Sequence, residues 1–292
     1  MRFFQTKRIV IPLLVLLGAG GATALYLYRE TPAPVQEQID LKLEAKTQII
    51  GTSVQGRTIE AYTYGHGEKH LVFVGGMHGG YEWNSVLLAY QFIDYLAANP
   101  SVLPGDVTVS IIPSLNPDGL FMVVGKDGRF TQADVSANVA TLEGGRFNAN
   151  DVDLNRNFDC KWKPESTWRS KNVSAGSSTF SEPEARALRD FVLDNHPDAV
   201  VFWHSQAYAV YASECDAGIL PTTLDMMNAY SRASGYQAVE KFDAYEITGD
   251  AEGWLASLGI PAITVELKTH ETIEWEQNLA GIKALFGLFL AR

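Results

Sequence analysis

The chain is poor in cysteine and in positive charge. Its 292 residues include two cysteines, Cys160 and Cys215, too few for a disulfide scaffold or a tetrathiolate zinc site but enough for one bridge in an oxidising compartment. Lys and Arg total 23 against 34 Asp and Glu, a formal net charge of -11. No basic cluster follows the first eight residues, so nucleic acid is not an expected partner. There is no G-x-S-x-G segment, which argues against a serine hydrolase elbow, and no internal repeat or low-complexity tract. What is present is apolar material: 46% of residues are hydrophobic, enough for a full core and against a disordered chain.

One long apolar run exists, and it lies at the N-terminus. Arg2, Lys7 and Arg8 precede an uncharged stretch from Ile9 to Tyr28, closed by Arg29 and Glu30. A run of about 18 or more apolar residues is long enough to cross a bilayer as a helix, and positive charge before it keeps that end cytoplasmic. Residues 1–30 therefore read as a membrane anchor, or as a signal peptide cleaved near Ala22-Thr23-Ala24. The length of the run favours the anchor, since a signal's apolar region is about 7–15 residues. Either way the remainder is expected outside the cytoplasm, with the membrane as a partner if the run is retained. Residues 31–44 (from TPAPVQEQID onward) form a polar, Pro-bearing linker, too short for an inhibitory pro-domain. Residues 45–292 read as one catalytic domain.

Within it, short β-rich runs alternate with helical patterns. His70–Val74, Val107–Ile112, Ala199–Trp203 and Ala262–Leu267 are apolar on both faces, as strands buried in a parallel sheet are. Asn84–Ala98, Ser181–Asn195 and Leu279–Ala291 carry helical spacing. The second opens on Ser181 and Glu184, a capping-box pair. The expectation is an α/β fold, a three-layer α/β/α sandwich on a mixed, mostly parallel sheet. In such sheets ligands bind at the carboxyl ends of strands.

Polar residues collect at those ends. His78 follows the first strand in GGMHGGYEW, with Glu82 four residues on, and His204 ends the third strand in WHS. Two histidines and an acid suit a zinc site with an open position for water. The blander readings are a polar contact at a helix start and a satisfied core histidine. Glu266 ends the apolar run AITVEL; a carboxylate there is costly unless paired or functional, which makes it either a salt-bridge partner or a general base. The stretch Asn148–Phe158 is dense in Asn, Asp and Arg. Asn155 and Arg156 in it suit a substrate carboxylate, unless the loop merely bonds its own backbone.

The ordered set HGGYEW, NPDG, DLNRNF, SEPE, WHS and TVEL resembles the zinc metallocarboxypeptidases of the carboxypeptidase A type, from about residue 45 to the C-terminus. The resemblance implies one Zn²⁺ held by His78, Glu82 and His204, Glu266 as general base, and Arg146 stabilising the oxyanion, with Arg129 competing for that last role. It further implies Asn155 and Arg156 on the terminal carboxylate of a peptide substrate, and Tyr245, nine residues before Trp254, closing over it. One departure matters: the family's His-x-x-Glu is stretched here to His-x-x-x-Glu, with Tyr81 where the acid would stand. A bulge at Gly79 and Gly80 is expected to absorb the extra residue. Asp250 and Glu252 fall where similar enzymes shape the side-chain pocket, which suits a C-terminal Lys or Arg, or the amine of diaminopimelate in a cell-wall peptide; the bland reading has both acids in solvent. Cys160 and Cys215 follow site loops and are candidates for a bridge bracing them. The expected activity is release of a C-terminal residue. Runners-up are a zinc deacylase or amidase on N-acyl amino acids, and a non-catalytic carboxylate-binding protein on the same fold.

Overall fold

A computed structural model describes residues 44–291. The expected anchor over 1–30 and almost all of the linker lie outside the described residues. Among the described residues, no helix is long and apolar enough to cross a membrane.

Among the described residues there are twelve strands and seven α-helices. In chain order they are β1 (Lys46–Thr52), β2 (Thr58–Tyr64), β3 (Lys69–Val74), α1 (Trp83–Ala98), β4 (Val107–Ile112), α2 (Pro117–Val124), α3 (Val139–Gly144), β5 (Glu165–Trp168), β6 (Lys171–Ser174) and α4 (Pro183–Asn195). There follow β7 (Ala199–Ser205), β8 (Ala209–Ala212), β9 (Glu214–Cys215), β10 (Gly218–Ile219), α5 (Pro221–Ser234), β11 (Gln237–Val239), α6 (Ala251–Ser257), β12 (Ala262–Leu267) and α7 (Trp275–Leu290).

Eight strands form one mixed sheet in the order β1-β2-β4-β3-β7-β12-β8-β11. Its centre, β4-β3-β7-β12, is wholly parallel. Antiparallel pairings join β1, β2 and β8 to it. Successive side chains of a strand point to opposite faces, and the core divides accordingly. Leu71, Phe73, Val201, Trp203 and Val265 pack under α1, α5 and α7 on one face. Val72, Val74, Val200, Phe202 and Ala262 pack under α4 and α6 on the other. The expected three-layer sandwich is what forms.

The expected capping box of the second helix does not. Pro183 takes the first helical turn, so Glu182 becomes the N-cap and Ser181 stands outside the helix. The Ser181 hydroxyl instead donates to Glu182 and accepts from Asn157. Glu184 accepts from the Val54 amide and the Asn148 side chain.

Candidate active site

The site residues hang on three parallel strand ends. In the register of β12 against β7, Glu266 pairs with His204. His78 follows β3 by four residues and begins a 3-10 turn over Gly79–Glu82. Gly79 turns the chain with φ +44°, and the turn brings Glu82 back over His78, so the extra residue is absorbed at the expected place. A Cβ on Gly79 would stand 2.6 Å from the Gly145 carbonyl oxygen, and one on Gly80 2.4 Å from the Val123 side chain. Two hydrogen bonds tie this turn and α2 to the loop bearing Arg146. The Gly80 amide donates to the Gly145 carbonyl at 3.1 Å, and the Asn116 side chain to the Arg146 carbonyl at 3.2 Å. Asn116 also caps α2, which gives the NPDG segment its structural role.

His78, Glu82 and His204 are all buried and converge on one point. Glu82 Oε1 lies 2.9 Å from His78 Nδ1 and its Oε2 3.0 Å from His204 Nδ1, and the two Nδ1 atoms are 3.1 Å apart. Donors bound tetrahedrally to zinc at about 2.0–2.1 Å are separated by roughly 3.3 Å, so this triangle fits the edges of such a site. The far nitrogens face acids: His78 Nε2 lies 3.4 Å from Asp153, and His204 Nε2 3.4 Å from Glu252. Carboxylates behind ligating imidazoles fix the ring orientation and raise ligand basicity.

Charge balance points the same way. Burial raises the carboxyl of Glu82, yet His78 and His204 hold it well below the usual range. Burial likewise opposes ionisation of Asp153, which Arg146, Arg156 and His78 overcome. Burial lowers His204, but Glu82 and Glu252 lift it well above an ordinary histidine. Glu266 has no such partner: burial, with Glu82 adding, pushes it up to about 8, and its Oε2 is buried without a hydrogen bond. Five acids (Glu82, Asp153, Asp250, Glu252 and Glu266) crowd around two arginines, a deficit that a divalent cation offsets.

All of these groups except Asp153 line one cleft of about 540 Å³, together with Asn155, Tyr245, Trp168 and Arg169. Of the two arginines weighed for the oxyanion, Arg146 is here, buried, its guanidinium bonded to Asp153 at 2.8 and 3.0 Å and stacked over Trp168. Arg129 instead pairs with Asp94 on the surface, over Tyr90. Arg156 donates to the Asn155 and Thr167 carbonyls and keeps a buried Nε without a partner. The Asn155 side-chain oxygen, Oδ1, accepts from the Ala251 amide at 2.9 Å, which leaves its NH₂ group uncommitted among the described residues. Tyr245 packs edge-on against Phe242 at the rim.

Neither Asp250 nor Glu252 points into open solvent. Asp250 caps α6 through the Gly253 amide, and burial with Glu252 pushes it up to about 6. Glu252 is buried between His204 and Thr264, so it backs a histidine of the candidate ligand cluster rather than standing free at a pocket floor. Cys160 and Cys215 form a disulfide.

A sequence profile described as zinc carboxypeptidase matches residues 43–283. The chain belongs to that family. Among curated relatives, gamma-D-glutamyl-L-diamino acid endopeptidase 1 of Lysinibacillus sphaericus is 26% identical over 238 residues, 75% of this chain and 59% of that protein. Carboxypeptidase B of Astacus astacus is 26% identical over 174 residues, 56% of this chain and 55% of the other. The chain thus spans under two thirds of either relative. Two solved structures share the fold. Murein-tripeptide amidase MpaA from Escherichia coli O157 has a TM-score of 0.60 at 24% identity, covering 83% of this chain and 90% of that one. Bovine thrombin-activatable fibrinolysis inhibitor, in complex with tick carboxypeptidase inhibitor, has a TM-score of 0.64 at 19% identity, covering 84% and 88%.

Three residues around this candidate site escape sequence reasoning. Asp153, inside the quoted DLNRNF, supports both His78 and Arg146, and its position before a polar turn was the available signal. His270 hydrogen-bonds Ser205 at 2.7 Å and stacks on Tyr81; nothing in its neighbourhood along the chain marks it. Trp168, on the β5–β6 hairpin, forms an edge-to-face contact with Tyr81 from 87 residues away.

Proposed function

We propose that the chain is a zinc-dependent peptidase, working outside the cytoplasm, that removes a residue with a free carboxylate from the end of a peptide. The observation that carries this reading is the unpartnered Nε of Arg156, buried in the same cleft as the His78–Glu82–His204 cluster and Glu266. An arginine with one uncommitted donor beside such a cluster suits a carboxylate next to the bond being cut.

Zinc held by His78, Glu82 and His204 supplies Lewis acidity, lowering the pKa of water and polarising a carbonyl. Glu266 accepts the proton of the attacking water and later delivers it to the leaving nitrogen. Arg146, fixed by Asp153 and Trp168, donates to the oxygen that gains charge. Arg156 and the NH₂ of Asn155 hold the leaving residue's carboxylate, and Tyr245 covers it from the rim. Asp250 in the cleft favours a leaving residue that carries an amine, whether Lys, Arg or diaminopimelate. The relatives' names divide between carboxypeptidases and enzymes of murein or glutamyl-diamino acid peptides, so an amidase of cell-wall peptides is the second reading. The apolar run over Ile9–Tyr28 and the Cys160–Cys215 bridge support an exported, membrane-tethered placement.

The test is peptide hydrolysis by zinc-loaded protein. Acetylated dipeptides ending in Lys, Phe and diaminopimelate are to be offered with and without a C-terminal amide. Cleavage of free acids but not amides is expected, with Glu266→Gln lowering kcat by about 10²–10⁴-fold at unchanged zinc content. Equal cleavage of acids and amides, or an active Glu266→Gln, removes the reading.

A further inference from the structure

Strand β5 and the turn after it lay three arginines along the cleft in sequence. The Ser166 hydroxyl hydrogen-bonds Thr248 at 2.8 Å, and the Thr167 carbonyl accepts from Arg156. Trp168 comes next, its ring 4.6 Å from the Arg146 guanidinium and 5.1 Å from the Tyr81 ring. Arg169 opens the turn at φ +55° and lines the cleft, its guanidinium 5.3 Å from the Trp168 ring. Its charge acts on Tyr81 and His270, as does that of Arg146.

The other cations beside Trp168 are already committed. Arg146 is bonded to Asp153, and Lys171 pairs with Glu143 at 3.0 Å. Arg169 makes no hydrogen bond or ion pair among the described residues and is exposed. In a chain of net charge -11, an unneutralised guanidinium at the mouth of a cleft full of acids is a feature that seeks an anion. A strand rises about 3.3 Å per residue, close to the spacing of residues along an extended peptide. With the terminal carboxylate at Arg156 and the scissile carbonyl at Arg146, the residue on the acyl side therefore falls opposite Arg169.

We propose that Arg169 is a specificity-determining residue that binds a carboxylate carried by the residue on the acyl side of the scissile bond. The inference rests on the peptidase reading above and adds to it the substrate class, a peptide whose penultimate residue is acidic. A carboxylate reaches that place from two sources: the side chain of an α-linked glutamyl residue, or the free α-carboxylate of a γ-linked one. Both offer the planar oxygen pair that a guanidinium fork engages, and Trp168 holds the fork from one face.

Three peptides ending in Lys test it, differing only in the preceding residue: γ-D-glutamyl, α-L-glutamyl or α-L-glutaminyl. Turnover is measured with zinc-loaded wild type, Arg169→Gln and Arg169→Lys. Binding is measured by calorimetry in a Glu266→Gln background, where peptide persists. One glutamyl peptide is expected to bind and turn over about tenfold better than the glutaminyl peptide, a modest factor because the site is exposed. The better of the two names the linkage. Arg169→Gln should erase the preference through KM while leaving glutaminyl turnover and the melting temperature unchanged, and Arg169→Lys should restore part of it. Equal affinity for glutamyl and glutaminyl peptides, or a preference that survives Arg169→Gln, overturns the proposal. Peptides that bind with an Arg169-dependent preference but are never cleaved defeat the peptidase reading and leave Arg169's role standing.

Discussion

Glu266 shows at a single residue how the cleft divides its tasks. Glu82, Asp153 and Glu252 have arginine or imidazole partners, whereas Glu266 has a buried oxygen unpaired among the described residues and a carboxyl pushed up to about 8 when no metal ion is present. In the unfolded chain the same group titrates near 4.3. Between those values the folded state holds a proton that the unfolded state has released, so stability falls as pH rises through the window. Chelated wild type should therefore lose more melting temperature between pH 5 and 8 than chelated Glu266→Gln. Parallel pH profiles would mean that Glu266 is ionised throughout. Asp153 gives the complementary case. Its carboxylate supports His78 and Arg146 together, so Asp153→Asn should weaken zinc about 10–100-fold and lower kcat as well. A zinc titration that matches wild type would relegate Asp153 to a purely structural ion pair.

At the scale of the element, the 3-10 turn Gly79–Glu82 decides whether a stretched His–Glu spacing still makes a ligand set. Gly79 has φ +44° and no room for a Cβ beside the Gly145 carbonyl. Gly79→Ala should cost about 1–3 kcal/mol and, by pushing the turn off α2, reduce zinc affinity as well. Loss of stability with unchanged zinc affinity would show that Glu82 reaches the site independently of that turn. Elements differed in how plainly the sequence announced them, for physical reasons. The central strands β3, β4, β7 and β12 are legible because both faces are buried, which leaves continuous apolar runs. The edge strand β1 is mostly exposed and reads as polar, and β5–β6 carries Lys, Asn, Ser and Thr, so neither is visible as strand. His78, Glu82, His204 and Glu266 stand at the ends of buried runs, where a polar residue is conspicuous. Trp168 and Arg169 reach the cleft, and His270 reaches Tyr81 and Ser205, only through tertiary folding, and an aromatic or basic residue on a loop carries no local mark.

For the whole molecule, the disulfide does what a two-sided core cannot. Both apolar layers lie against the sheet, but the loop carrying Asn155 and Arg156 leaves it and ends at Cys160. The bridge ties that loop to Cys215 in β9, and the Cys160 carbonyl accepts from the Gly249 amide just before α6. One covalent link thus fixes the loop of Asn155 and Arg156 against both the β9 segment and α6. The two cysteines are 55 residues apart, for which loop-closure entropy gives a stabilisation of about 4 kcal/mol. At this size that is roughly 8–16 °C in melting temperature. The double variant Cys160→Ser/Cys215→Ser should melt lower by an amount in that range, and reduced wild type should match it. Zinc content should hold, since His78, Glu82 and His204 sit on strand ends and a turn that the bridge does not touch. KM for a free-acid peptide should rise more than kcat falls, because Asn155 and Arg156 lose their anchorage while Glu266 keeps its place in β12. A variant that loses zinc and activity together, with KM unchanged, would instead make the bridge a support of the metal turn.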